Sequence, residues 1–257
     1  MGMNPFDINE KTVLVTGGTR GLGRAIAWQL AQQGARVFAG YFQNEEAAEK
    51  FRGDTTSKGY SCSTIRANLM TASGVQTLCD HVIRECGRLD ALVYNAATGV
   101  HKSLDSLSQR HLSGVWQVNV GAFFELSLKL RPFMPRGSRI VAISSEGARK
   151  AVNHYGAVGC SKAALEALCR QMAVEWAAHG ISANLVSPGL LETDTLTVLE
   201  DANARVQHEI KSSPLGRMVH LEEVARLVHF LCSSASEGLL GQTIVIDGGK
   251  SISAFVQ

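Results

Sequence analysis

The chain has 257 residues, 45% of them apolar and 19% charged, and 25 Lys and Arg stand against 23 Asp and Glu for a formal net charge of +2. A balance so close to neutral gives no case for nucleic-acid binding, and no run of about 18 apolar residues is present to span a membrane. The stretch from Met1 to Lys11 lacks the apolar core of a signal peptide and the six cysteines show no CxxC spacing, so a cytoplasmic protein with reduced thiols is expected.

Short β-rich runs alternate with helical patterns almost to the end. The pattern predicts strands at 12–16, 36–41, 63–67, 91–95, 139–144, 182–186 and 242–246, with helices at 21–33, 45–58, 72–86, 109–131, 154–178 and 221–232. Val13-Leu14-Val15 and Ile140-Val141-Ala142-Ile143 are continuous apolar runs, as strands covered on both faces require. The alternation predicts an α/β single-domain Rossmann fold over 1–257, a doubly wound parallel seven-stranded sheet with helices on both faces. The eight histidines show no metal-ligand spacing, and no metal is expected.

The first strand runs into Thr16-Gly17-Gly18-Thr19-Arg20-Gly21-Leu22-Gly23 and then a helix. Glycines at 17, 21 and 23 permit a tight turn whose backbone N–H groups approach a pyrophosphate at the helix N-terminus. An acidic residue after the second strand would bind the adenosine ribose and repel a 2′-phosphate. Tyr41-Phe42-Gln43-Asn44 stands there instead, and Arg20 sits in the glycine turn, so NADPH is favoured over NADH; the plainer role for Arg20 is a surface cation.

Reading back from Lys162, the nearest tyrosine is Tyr155, seven residues away, and position 158 holds Val. Seven residues return to nearly the same helical face, so Tyr155 can look into the same cleft as Lys162 if the helix extends back that far, displaced about 4.5 Å along its axis relative to position 158. In conjugate reduction of an enoyl thioester, charge develops on an oxygen three bonds from the carbon that accepts hydride. A donor set further from the nicotinamide suits that geometry. Tyr155 as an ordinary helix-face aromatic is the plainer alternative.

The glycine spacing and the segments after it resemble the short-chain dehydrogenase/reductase (SDR) superfamily over nearly the whole chain. Asn68 and Leu69 match its adenine-contacting segment, and Asn95-Ala96-Ala97 its motif after the fourth strand, with a departure at Ala97. The resemblance implies a structural or proton-relay role for Asn119 and an active-site position for Ser145, which assists or only packs. It implies nicotinamide contacts from Pro188, Gly189, Leu191 and Thr193, with Gly17, Thr19, Arg20, Gly21, Leu22, Gly23 and Tyr41 along the rest of the cofactor. Lys162 would hold the nicotinamide ribose. The Tyr-x6-Lys spacing, Asn95 to Val100 and Pro214-Leu215-Gly216-Arg217-Met218 are most similar to the NADPH-dependent type III enoyl-acyl-carrier-protein reductases.

That resemblance implies an acyl thioester substrate, carried by acyl-carrier protein or coenzyme A, in fatty-acid or polyketide-type synthesis, and a homotetramer. Residues 190–213 read as a substrate-binding lid or as an ordinary amphipathic helix. Arg149, Lys150, Arg205 and Lys211 are candidates to meet an acidic carrier or a coenzyme A phosphate. A ketone or aldehyde reductase and a silent NADP-binding sensor remain as alternatives.

Overall fold

Alternate side chains of the central strands feed two separate cores. The computed structural model describes residues 4–193 and 202–254. Its strands are β1 (Thr12–Thr16), β2 (Arg36–Tyr41), β3 (Cys62–Arg66), β4 (Ala91–Tyr94), β5 (Arg139–Ile143), β6 (Ser182–Pro188) and β7 (Thr243–Ile246). They form one seven-stranded sheet, all parallel, in the order β3-β2-β1-β4-β5-β6-β7. Leu14, Phe38, Leu92, Tyr94, Ile140 and Leu185 face one core, while Val13, Val15, Val37, Val93, Val141 and Val186 face the other. Each such side chain removed from water contributes roughly 1.5–3 kcal/mol, which is why these strands read as unbroken apolar runs.

The helices are α1 (Gly21–Gln32), α2 (Glu45–Ser57), α3 (Ala72–Cys86), α4 (Gln109–Trp116), α5 (Ala122–Leu130), α6 (Gly156–Trp176), α7 (Ala202–Ser212) and α8 (Leu221–Cys232). α3, α5 and α6 cover the first core; α1 and α8 cover the second. The strand order reverses between β1 and β4, and the crevice beyond their carboxyl ends is where such sheets bind ligands.

Two predicted helices change character. The run at 109–131 is interrupted by a π-helical turn at Gln117–Gly121, and Arg131 belongs to a short 3-10 turn. The Tyr94 hydroxyl donates to the Val118 carbonyl within that wider turn. The helix predicted at 154–178 begins only at Gly156, because His154 turns through φ +60 and Tyr155 takes a non-helical cap conformation of φ −112, ψ 8. Of the 190–213 segment, 194–201 lie outside the described residues, and α7 is a regular helix. Among the described residues no helix is long and apolar enough to cross a membrane.

Candidate active site

The turn after β1 needs glycine for backbone reasons. Gly17 and Gly21 adopt φ +63 and +52, the left-handed region that favours glycine. A Cβ on Gly23 would lie 1.9 Å from the Gly17 carbonyl oxygen. Asn95 locks the turn from β4: its Nδ2 donates to the carbonyls of Thr16 and Gly17 at 3.1 and 3.0 Å. Thr16 answers, its Oγ1 accepting from the backbone N–H of Asn95 and of Ala96, each at 3.0 Å.

The N-terminus of α1 has no side-chain cap and no acidic residue in its first turn. It opens on a cleft of 810 Å³ with Thr19, Arg20 and Leu22 on one wall and Ala96, Ala97 and Thr98 on the other. Tyr41, Asn68, Leu69 and Thr193 also line it. An uncapped helix N-terminus, a glycine cradle and a cleft beside them fit the diphosphate and adenosine of a dinucleotide.

Arg20 is exposed on this wall. The Tyr41–Asn44 window holds no carboxylate, but the fold brings one close: Glu45, at the start of α2, accepts from the Tyr41 hydroxyl at 2.9 Å. Arg66 pairs with that carboxylate at 3.4 Å, so it does not stand alone against a phosphate. Asn68 does more than line the cleft. Its Oδ1 accepts from Met70 N–H at 3.0 Å, and its carbonyl is approached so closely by Gly74 that a Cβ there would lie 2.0 Å away.

The reacting end is built from side chains on three elements. Lys162 of α6 is buried, its Nζ donating to the Ile143 carbonyl at 2.7 Å, and burial pushes its ammonium down to about 8. Tyr155 donates to Ser145 Oγ at 3.3 Å. Burial lifts the Tyr155 hydroxyl above the ordinary phenol range; the bond to Ser145 lowers it in part and the Glu146 carboxylate raises it again. Tyr155 is therefore a neutral hydrogen-bond donor at physiological pH. Gly147 lets its ring lie on the Ser145 loop, since a Cβ at 147 would meet ring atoms at 2.5 Å.

Val158, one turn before Lys162, is buried with Val115 and Ala157, so its side chain offers no donor to the cleft. The displacement of Tyr155 thus arises from the cap and not from an extra turn of helix. Sequence reasoning passed over His101, whose ring packs against Tyr155 at a 45° tilt with centroids 5.6 Å apart.

Asn119 sits in the π-turn with both of its N–H donors taken. Nδ2 donates to the Thr98 carbonyl at 3.0 Å and to Ser161 Oγ at 2.9 Å, while Oδ1 accepts from Thr98 N–H at 2.9 Å. Asn119 therefore ties the loop after β4 to α6, which favours the structural reading over the proton relay. Thr98 and Ser161 were not foreseen; Thr98 was signalled only by following Asn95-Ala96-Ala97.

The loop after β6 completes the ring. Gly189 N–H donates to the Ile246 carbonyl at 3.0 Å, directly after Pro188 ends the strand. Leu191 packs on the second core, and Thr193 reaches back to within 3.7 Å of a Cβ built on Gly21. Arg149, a candidate for carrier recognition, is paired with the buried Glu166 at 3.2 Å, whereas Lys150 and Lys211 are exposed.

Residues 17–251 match the family described as enoyl-(acyl carrier protein) reductase. The chain belongs to the SDR superfamily. It is an SDR oxidoreductase with many relatives. A 1-cyclohexenylcarbonyl-CoA reductase of Streptomyces collinus is 35% identical over 243 residues, covering 94% of this chain and 87% of that protein. A tropinone reductase homolog of Arabidopsis thaliana is 33% identical over 257 residues, covering 97% of this SDR chain and 96% of the relative. The crystal structure of a short-chain dehydrogenase from Burkholderia cenocepacia J2315 in complex with NADP superposes with TM-score 0.88 at 30% identity, covering 95% and 99% of the two chains.

Proposed function

We propose that this SDR enzyme uses NADPH to reduce the α,β double bond of an enoyl thioester. The observation that carries the reading is the pairing of Tyr155 with Ser145 at the cap of α6 while the position one turn before Lys162 is a buried Val. When bound, the nicotinamide cofactor supplies a hydride to Cβ of the substrate. Tyr155 then holds the thioester oxygen as it gains negative charge, and Ser145 orients the tyrosine hydroxyl. Lys162, cationic below about pH 8, favours that negative charge and holds the cofactor ribose. Water supplies the proton to Cα, which completes the addition of two electrons and two protons' worth of hydrogen across the bond.

Two comparisons support the reading. One relative is named for 1-cyclohexenylcarbonyl-CoA, a substrate whose alkene is conjugated to a thioester carbonyl. A Burkholderia structure of the same fold contains NADP, and Arg20, exposed on the wall of the cleft, is the cation this reading assigns to the 2′-phosphate. The thioester carrier, protein or coenzyme A, and the setting in fatty-acid or polyketide-type synthesis extend the same proposal. So does a cytoplasmic homotetramer, for which the exposed apolar residues Trp116, Phe124, Leu128 and Val174 supply contact surface.

Carbonyl reduction is the second reading, favoured by the 3.3 Å hydroxyl pair itself, which can bracket one carbonyl oxygen. NADPH consumption with crotonyl and acetoacetyl thioesters separates the two. The expected result is preferred turnover of the enoyl substrate, falling by roughly 10²–10³-fold in Tyr155→Phe, the loss typical of a missing oxyanion donor. Preferred turnover of the ketone overturns the enoyl reading, and NADPH binding without either turnover returns the silent binder.

A further inference from the structure

The C-terminal turn after β7 carries a cation into the space between α7 and the Ser145 loop. Lys250 Nζ donates to Glu146 Oε1 at 3.1 Å and to Glu209 Oε2 at 2.5 Å. Glu209, on the inner face of α7, is nearly inaccessible, and its other oxygen accepts from Leu190 N–H at 3.1 Å. One carboxylate thus touches both the tail and the loop after β6, and one ammonium joins that carboxylate to the neighbour of Ser145.

The backbone is shaped for this arrangement. A Cβ on Gly189 would lie 2.7 Å from Glu209 Oε1, so glycine is what lets the carboxylate reach the loop. Gly248 and Gly249 adopt φ +68 and +86, and Ser213 Oγ, just beyond α7, donates to the Gly248 carbonyl at 3.3 Å. Asp247 closes the turn, its two oxygens accepting from Gly249 N–H at 3.0 Å and Ser251 N–H at 2.8 Å. Burial lowers the Lys250 ammonium, but its bonds to Glu209 and Glu146 outweigh burial and hold it above the usual lysine range, so the tie stays charged.

We propose that Lys250 is a positioning residue that couples the seat of α7 to the Ser145–Tyr155 pair, setting how firmly the acyl end of the substrate is held. The coupling has an electrostatic arm as well. Glu146 raises the Tyr155 hydroxyl, and Lys250, shared with Glu209, partly offsets the Glu146 charge. Losing Lys250 leaves a carboxylate beside the group that must support a developing oxyanion. This inference rests on Ser145 and Tyr155 being the reacting end of the cleft.

The test compares Lys250→Met and Lys250→Arg in the full chain, by steady-state kinetics with crotonyl thioester, NADPH titration, and hydrogen exchange of the 202–212 backbone. Lys250→Met is expected to raise KM for the thioester about tenfold, in the range of couplings within one ion-pair network. NADPH affinity should be unchanged, exchange across 202–212 should quicken, and Lys250→Arg should recover most of each change. Unchanged KM and unchanged exchange in Lys250→Met overturn the proposal. So does an Arg variant no better than Met, or a fall in melting temperature with no change in KM or exchange. The exchange readout needs no turnover, so it stands even if Tyr155→Phe retains full activity and the enoyl reading fails.

Discussion

The two halves of the cleft are built on different principles. The dinucleotide half, from Gly17 to Gly23 and across to Asn95, is a backbone device in which glycines are required by positive φ or by close approach, and Asn95 bonds main-chain carbonyls. The reacting half depends on side chains delivered by a loop end, a helix cap and the middle of α6. Changes in the first half should act on cofactor binding with little regard to substrate. Changes in the second should alter which bond is reduced.

Gly23→Ala should have the largest effect. Its methyl would overlap the Gly17 carbonyl, and NADPH affinity is expected to fall by about 10²-fold or more, measured by titration with fold integrity checked by circular dichroism. Lys162→Met follows, with kcat/KM down about 10²-fold. Its pH profile sharpens the point. The Lys162 ammonium lies below the ordinary lysine value, at about 8, so it is charged below that pH and neutral above it. Wild-type kcat/KM should therefore decline as pH rises through about 8, and the Lys162→Met profile should lack that step. A step retained in the mutant would assign the titration elsewhere.

Val158→Tyr tests the boundary between the halves. A hydroxyl placed one turn before Lys162 should cut enoyl turnover by about tenfold, partly through overpacking beside Val115, and should confer carbonyl reduction. No gained carbonyl activity would argue against the geometric account. Arg20→Ala is the mildest: preference for NADPH over NADH should drop about fivefold, as expected for one exposed charge-assisted contact, with kcat unchanged. A preference that survives intact would give the 2′-phosphate to other residues.

The difference between the halves also governs what could be read from the sequence. Glycine spacing and apolar runs report local backbone demands, so the seven strands, the turn and the parallel sheet were all legible. Tyr155 was found by its distance from Lys162, yet its place outside the helix was not, because nothing about a histidine at 154 announces φ +60. The Asn119 bonds to Thr98 and Ser161, and Glu209 bonding Leu190, join residues far apart in the chain. Such pairings follow from how α5, α6 and α7 pack, which local patterns do not encode. Glu45 is the same lesson on a smaller scale, lying outside the window where a carboxylate was sought.

The π-turn at Gln117–Gly121 has a consequence for how this chain can vary in length. Each helical residue advances the azimuth by about 100°, so one residue more or fewer rotates everything downstream by more than a quarter turn. With the wider turn in place, Asn119 faces Thr98 and Ser161 while Phe123, Leu126 and Leu130 still face the first core. Deleting Val120 or Gly121 would shorten the spacing between Asn119 and Phe123 and put either the asparagine or the three apolar side chains out of phase. The segment can therefore accept substitutions on its outer face, but its residue count is fixed by two sets of partners, the Asn119 bonds to Thr98 and Ser161 and the apolar contacts of α5 with the first core.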